Sequence, residues 1–216
     1  MWPFPRKKLS DVPAPPFAEV KKRTKVLVID DQPDSFPFDL MRREGYSVEH
    51  WPRVESIAPL EEGNYDIIIL DIQGVAQHIS PDDGLGVLEL IKKANASQVV
   101  VAFSSHSFDL SRNRFWKLAD DSLCKPVNVA MCKRLIDTLI ETKRTPQHYW
   151  MTVSALLIRQ GLSCRQIERV EDKVARALMK KNAGAVSQSL KKAAENAEVA
   201  VKVAGLGIKI AGLFGI

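Results

Sequence analysis

The sequence predicts an α/β protein: a doubly wound parallel sheet of five strands, followed by an all-α helical extension. Three observations carry that expectation. From Lys25 to Lys143 short apolar runs alternate with segments of helical spacing. The apolar runs are nearly continuous, as in strands covered on both faces. Beyond Thr145-Pro146 only helical spacing remains. Of the 216 residues, 45% are hydrophobic and 26% charged, close to the globular average. That composition excludes a wholly disordered chain, a collagen-like repeat and a polytopic membrane protein.

The elements follow in order. KVLVID is a buried strand ending in acid. Residues 34–44 carry Phe36, Leu40 and Met41 at helical spacing and close on Gly45, with Pro33 and Pro37 suited only to the start of a helix. YSVEHW is a second, shorter strand, and residues 53–62 a short helix. YDIIILD is the strongest strand, four aliphatics terminated by Asp71. After a loop rich in Ser, Pro and Asp, GLGVLELIKKAN places Leu85, Leu88 and Ile91 on one helical face. QVVVAFSS is the fourth strand, residues 107–118 the fourth helix and DSLCK the fifth strand. Residues 127–143 form the fifth helix, with Met131, Leu135, Ile136 and Leu139 inward.

Before this block, residues 1–23 form a basic arm with five prolines among the first sixteen residues. That density forbids a helix there and favours an extended, exposed segment. Its charges lie behind the first few residues with no apolar run after them, which is not the layout of a secretory signal. Trp2 and Phe4 could dock elsewhere. Cys124, Cys132 and Cys164 are odd in number and include no C-x-x-C pair, so neither a disulfide framework nor a structural zinc site is expected, and the simplest location is the cytoplasm. The net charge of +5 is unevenly spread: seven basic against two acidic residues in 1–25, sixteen against twenty-two in 26–172, eight against two in 173–216. An acidic middle between basic ends is not a uniformly basic nucleic-acid coat.

Ligands of open parallel sheets sit beyond the carboxyl ends of the strands. Those ends carry Asp30-Asp31, Asp71, Ser104-Ser105 and Lys125-Pro126. Several carboxylates in one pocket repel each other and need a cation. Hard oxygen donors without His or Cys favour Mg²⁺ over zinc. A lysine opposite supplies positive charge for a phosphate oxygen, and a hydroxyl can donate to another. A carboxylate beside such a cation can act as a nucleophile and take a phosphoryl group as an acyl phosphate.

KVLVIDD, YDIIILD, VVVAFSS and ADDSLCKP resemble the receiver domain of bacterial two-component response regulators, over about residues 24–143. The resemblance implies a flavodoxin-like strand order, 2-1-3-4-5. It implies Asp71 as the phosphoryl acceptor, with Asp30, Asp31, Asp71 and the backbone carbonyl of Gln73 as ligands of Mg²⁺. Ser104 takes the hydroxyl position that senses the phosphoryl group, Lys125 the lysine that bonds to it, and the Lys125–Pro126 peptide is cis. Two features depart from the family. Three positions before the lysine, where an aromatic switch residue usually stands, the chain has Ser122. The segment after Asp71, IQGVAQHISPDDG, is longer than the family's and brings His78, Asp82 and Asp83 near the pocket. His78 reads either as a solvated loop residue or as one shaping access of a partner or phosphodonor.

After the receiver, residues 147–182 read as a helical hairpin, the first helix stopped by Gly161 and the second capped by Ser163. RQGLSCRQIERV is faintly similar to the first half of a helix-turn-helix. Glu171-Asp172 continue the same helix, where a DNA reader would turn into a second, basic one, and this argues against nucleic acid. Residues 184–216 read as a C-terminal amphipathic helix, with Lys191, Glu195, Glu198, Lys202 and Lys209 in one narrow stripe. Glu198 and Lys202 suit an i,i+4 pair. The wide apolar remainder needs cover: a membrane interface, a partner, a second copy, or the chain's own receiver. Ala200/Ala204 and Gly207/Ala211/Gly215 permit close helix contacts. Lys202 and Lys209 argue against a spanning helix.

The sequence thus predicts a cytoplasmic response-regulator-like protein, a phosphoacceptor rather than a conventional enzyme. It takes a phosphoryl group on Asp71 from a sensor histidine kinase or phosphotransfer protein. The change passes to a helical output that forms a homo-oligomer, docks a partner or touches a membrane. Two alternatives stand beside it: a scaffold of receiver fold that is never phosphorylated and assembles through its C-terminal helix, and a DNA-binding regulator.

Overall fold

The structure, a computed structural model, describes residues 5–105 and 117–216. The expected helix over residues 107–118 falls, except for its last two residues, outside them, as do Trp2 and Phe4. The chain divides into two compact units, Lys21–Ile140 and residues 5–20 together with Glu141–Ile216.

The first unit is built on five parallel strands: β1 (Lys25–Ile29), β2 (Ser47–Trp51), β3 (Ile67–Asp71), β4 (Val99–Ser104) and β5 (Asp121–Cys124). Their order is β2-β1-β3-β4-β5, the doubly wound order expected. Every neighbouring pair is parallel. Apolar runs fold this way because alternate side chains serve opposite faces. Leu27, Ile29, Ile68, Leu70, Val100 and Ala102 pack with Val87, Leu88 and Ile91 of α4 (Asp83–Ala94). Their neighbours Val26, Val28, Ile67, Ile69, Val101 and Phe103 are buried on the other face. Each such side chain contributes roughly 1.5–3 kcal/mol at full burial. The remaining helices of this unit are α2 (Phe38–Arg43), α3 (Ala58–Glu61) and α5 (Val129–Lys143).

Helix boundaries differ from the sequence reading where proline intervenes. The segment 34–44 begins as a single 3-10 turn at Pro33–Ser35, and α2 starts only after Pro37. Pro37 lacks an N–H and its ring would clash with the preceding turn, so it sits at the cap. The helix expected over 53–62 contracts to four residues, with Pro59 in its first turn. Residues 17–23, expected to be extended, form α1 (Phe17–Arg23). The prolines stop at Pro16, just before the helix, where they do not cost a hydrogen bond.

The second unit contains α6 (Pro146–Arg159), α7 (Cys164–Met179), α8 (Ala183–Lys191) and α9 (Ala197–Leu213). The expected hairpin is α6 and α7. The C-terminal segment is two helices, broken between Lys191 and Ala197, where Asn196 caps α9 by accepting from Val199 N. α9 packs on α8 and α6. Val203, Leu206, Ile210 and Leu213 are buried there. Much of the cover that the sequence demanded is therefore supplied by α8 and α6 of the same unit. At Gly207 the helices approach closely, since an added Cβ would lie 2.9 Å from Leu190 Cδ1. Val201 and Ile208 stay 70% and 65% exposed. Among the described residues no helix is long and apolar enough to cross a membrane.

Candidate functional site

Parallel register makes the site. Ile29 pairs with Leu70, Asp71 with Phe103 and Ser104 with Cys124, so β1, β3, β4 and β5 end on one rim. The residues at or just after these ends are Asp30, Asp71, Ser104 and Lys125. A cleft of about 540 Å³ opens over them, lined by Asp31, Asp34, Asp71, Gln73, Ser104 and Lys125 among others. Asp30, Asp31 and Asp71 each offer a carboxylate oxygen within 4.8 Å of the others.

Lys125 ties this rim together. Its Nζ donates to Asp71 Oδ2 at 2.5 Å and lies 2.7 Å from Asp30 Oδ2. It also sits over the Phe103 ring, 4.6 Å from the centroid. The Lys125–Pro126 peptide is cis. Asp30 is fully buried, accepting Gln32 N at 2.8 Å on Oδ1 and Ser35 Oγ at 2.6 Å on Oδ2. Asp31 is exposed, facing the cleft that it lines. Gln73 N donates to Asp71 Oδ1 at 3.2 Å.

Burial pushes the pKa of Asp71 above its ordinary value. The hydrogen bond and charge of Lys125 act against this, and the charge of Asp30 adds to it. Burial also acts against the charge on Lys125, but its hydrogen bonds to Asp30 and Asp71, and their charges, outweigh it and raise the pKa of the lysine. The two shifts have opposite origins: burial raises Asp71 against the pull of the lysine, and the two carboxylates raise Lys125 against the pull of burial.

The donor set fits a hard divalent cation. The cluster is all oxygen, with no imidazole or thiolate. Gly74 supplies a second sign. Its φ is +80°, and an added Cβ would lie 2.9 Å from Asp31 Oδ2. The space beside that carboxylate is kept open by the absence of a side chain. Asp30, Asp31, Asp71 and the Gln73 carbonyl would hold the ion, with Asp30 oriented by Ser35 and Gln32.

Several positioning contacts were not legible in the sequence. Ser35 reads there as part of a helix, and its bond to Asp30 depends on the 3-10 turn. His50 Nε2 donates to the Asp30 carbonyl at 2.8 Å, reaching from the neighbouring strand β2. Gly84 packs so tightly against the end of β3 that an added Cβ would lie 2.2 Å from Asp71 O. The long segment after Asp71 is not loose. Both Asp83 carboxylate oxygens accept backbone N–H groups, from Gly74 and Ala76, each at 2.6 Å. Val75 and Ala76 are buried, and Val54 N donates to Val75 O at 2.8 Å. His78 Nε2 donates to Val54 O at 2.8 Å, which anchors an exposed side chain to the next loop. Asp82 is exposed and lines a separate cleft with Gln73, Gln77 and Pro81. Ser122 is exposed on β5.

No family model matches the chain, and no curated protein matches it either. Solved structures do. It is similar to the response regulator TrrA from Thermotoga maritima in complex with Mg²⁺ and beryllium fluoride, at 26% identity and TM-score 0.44, covering 54% of this chain and 98% of that one. It is similar to a two-component response regulator from Clostridium difficile, at 23% identity and TM-score 0.46, covering 55% and 97%. The receiver domain of NtrX from Brucella abortus is a further neighbour, at 24% identity and TM-score 0.45, covering 55% and 99%. The neighbours are receiver domains, and the likeness takes in little more than half of this chain.

Proposed function

We propose that the protein is a response-regulator-like phosphoacceptor and that Asp71 takes the phosphoryl group. The observation that carries this reading is Lys125 Nζ bridging Asp71 and Asp30 at 2.5 and 2.7 Å beside a three-carboxylate oxygen cluster. A structural ion pair needs one carboxylate; two against one lysine with a third clustered beside them leave negative charge for a cation to offset.

Magnesium bound at this cluster would offset the charge of the acceptor and of the phosphoryl oxygens. The donor is a phosphohistidine of a sensor histidine kinase or of a phosphotransfer protein. A carboxylate oxygen of Asp71 attacks phosphorus, the phosphorus–nitrogen bond breaks, and its electron pair leaves on the imidazole. Lys125 donates to the transferred group, and the Ser104 hydroxyl donates to another of its oxygens. Asp30 keeps Lys125 aimed, and is itself aimed by Ser35 and Gln32. The site needs no general base because the nucleophile reacts as a carboxylate.

The helical unit is the output in this reading, through oligomerisation, a partner or a membrane surface. Val201 and Ile208 on α9, with Met151 and Ile158 on α6, are exposed apolar side chains that could serve such contact. DNA is disfavoured, because α7 runs unbroken for 16 residues and carries Glu168, Glu171 and Asp172. One observation supports a second reading, a receiver fold used only as an assembling scaffold. Ser122, exposed on β5, has no ring to move between buried and exposed positions. The two readings separate in one experiment. Intact mass after incubation with acetyl phosphate and Mg²⁺ should show one added phosphoryl group, mapped to Asp71 and absent from Asp71→Asn. No adduct from either acetyl phosphate or a phosphohistidine donor favours the scaffold.

A further inference from the structure

The basic arm, extended and proline-rich, has a seat. Within the helical unit, residues 5–12 lie along α7 and touch α6. Glu168, Glu171 and Asp172 are spaced three and four apart and so share one face of α7. Each holds the arm. Arg6 pairs with Glu168. Lys7 N donates to Asp172 Oδ1 at 2.7 Å, and Leu9 N donates to Glu171 Oε1 at 3.0 Å. Arg176 donates from Nη2 to Pro5 O at 3.1 Å and from Nε to Asp172 Oδ1 at 2.9 Å. Leu9 is 1% exposed and Val12 8%.

This is the anatomy of peptide recognition rather than of a helix-bundle core. Alternate backbone N–H groups are bound by side-chain carboxylates, which are strong charge-assisted acceptors. The side chains that are read stand three apart: Arg6 by charge, Leu9 and Val12 by burial. Those at Lys8 and Ser10 point into solvent and are not read. The arm adds no long element to the unit, only the single 3-10 turn Leu9–Asp11. Tyr149, Val153, Leu157, Val174, Leu190 and Ile210 form a helical core to which the arm contributes nothing but its two aliphatics. Onward it joins the chain through Pro13-Ala14-Pro15-Pro16, a stiff extended link.

We propose that this face of α7 is a peptide-binding site and that residues 5–12 are its resident, displaceable ligand. The partner it fits is an extended basic peptide with a cation followed, three and six residues on, by leucine and a second aliphatic. The partner that meets that description is the arm of a second copy of this chain. Occupation in cis keeps the site closed until a competitor of higher effective concentration arrives.

The test uses the full chain with a protease recognition sequence inserted between Ala14 and Pro15. After cleavage, a fluorescent synthetic peptide of residues 5–13 is titrated in and followed by anisotropy, with circular dichroism recorded alongside. The expected result is retained helicity, saturable binding of one peptide per chain, and weakening by roughly tenfold or more for the Leu9→Glu peptide, which loses the buried anchor. Raising salt should weaken binding further, since the Arg6–Glu168 pair is exposed. The uncut chain should bind the peptide far more weakly than the cut one. Loss of the helical fold on release of the arm, failure of the peptide to exchange, or equal binding of the Leu9→Glu peptide would each overturn the proposal.

Discussion

Lys125 Nζ stands 2.5 Å from Asp71 Oδ2, and both side chains are about nine-tenths buried. Asp30, fully buried, holds the same ammonium group from the other side at 2.7 Å. The lysine thus pairs with two buried carboxylates at once. Taking one partner from a buried ion pair typically costs about 3–5 kcal/mol. Lys125→Ala should therefore destabilise the receiver unit by about 3 kcal/mol without metal. The loss should be smaller in millimolar Mg²⁺, which replaces part of the missing charge. Chemical denaturation with and without Mg²⁺ measures both, and a loss that Mg²⁺ leaves unchanged speaks against a cation site here.

Mg²⁺ itself should raise the midpoint of thermal unfolding, because it binds the folded cluster and not the open chain. At tenfold over the dissociation constant the gain is about 1.4 kcal/mol. Asp31→Ala should abolish it with little effect on stability in metal-free buffer, because Asp31 is exposed. Gly74→Ala should weaken Mg²⁺ binding as well, through the Cβ placed 2.9 Å from Asp31 Oδ2 and the strain of φ +80°. Isothermal titration of the three proteins with MgCl₂ gives the comparison.

Much of the receiver was legible because burial on both faces imposes a simple pattern. The runs KVLVI, IIILD and VVVAFS could be nothing but interior strands, and the polar residues that close them had to gather on one rim. The positioning shell was not legible. Ser35 reaches Asp30 and His50 reaches the Asp30 carbonyl only through tertiary placement, and neither contact has a sequence period. Val75 and Ala76 sit in a loop whose composition says solvent, yet Asp83 folds it inward by accepting two backbone N–H groups. The arm misled for a similar reason: its proline content is that of an exposed segment, Trp2 and Phe4 drew the expectation of docking, and the side chains found buried are Leu9 and Val12.

The C-terminal helix offers a sharp contrast between two pairs of aliphatics. Ile210 is fully buried and Leu206 is 7% exposed, whereas Val201 and Ile208 face solvent. Leu206→Glu with Ile210→Glu should unfold the helical unit or lower its melting point severely, each substitution burying an unpaired charge. Val201→Ser with Ile208→Ser should leave stability within about 0.5 kcal/mol, as surface changes do. If that second variant also shifts the size-exclusion profile toward smaller species, the exposed pair is an assembly contact. Equal melting points for the two variants would contradict the packing of α9 on α8 and α6.

The three cysteines should differ in reactivity. Cys124 and Cys164 are exposed and Cys132 is buried. Burial pushes the Cys132 thiol up to about 11, so the reactive thiolate is scarce there at neutral pH. Two thiols should react quickly with a disulfide reagent in native buffer and the third only on unfolding. Three fast thiols would contradict the placement of Cys132 on the buried face of α5.

The central claim is that Asp71, with its carboxylate neighbours and Lys125, forms a working phosphoryl site. Fluorine NMR of the protein with beryllium fluoride tests it most directly, because the complex mimics a phosphoryl group on a carboxylate without requiring a donor. The account predicts bound fluoride resonances that need both Mg²⁺ and Asp71, vanishing with chelator and in Asp71→Asn. No bound resonance in the wild-type chain at saturating Mg²⁺, or one that persists in Asp71→Asn, would contradict it.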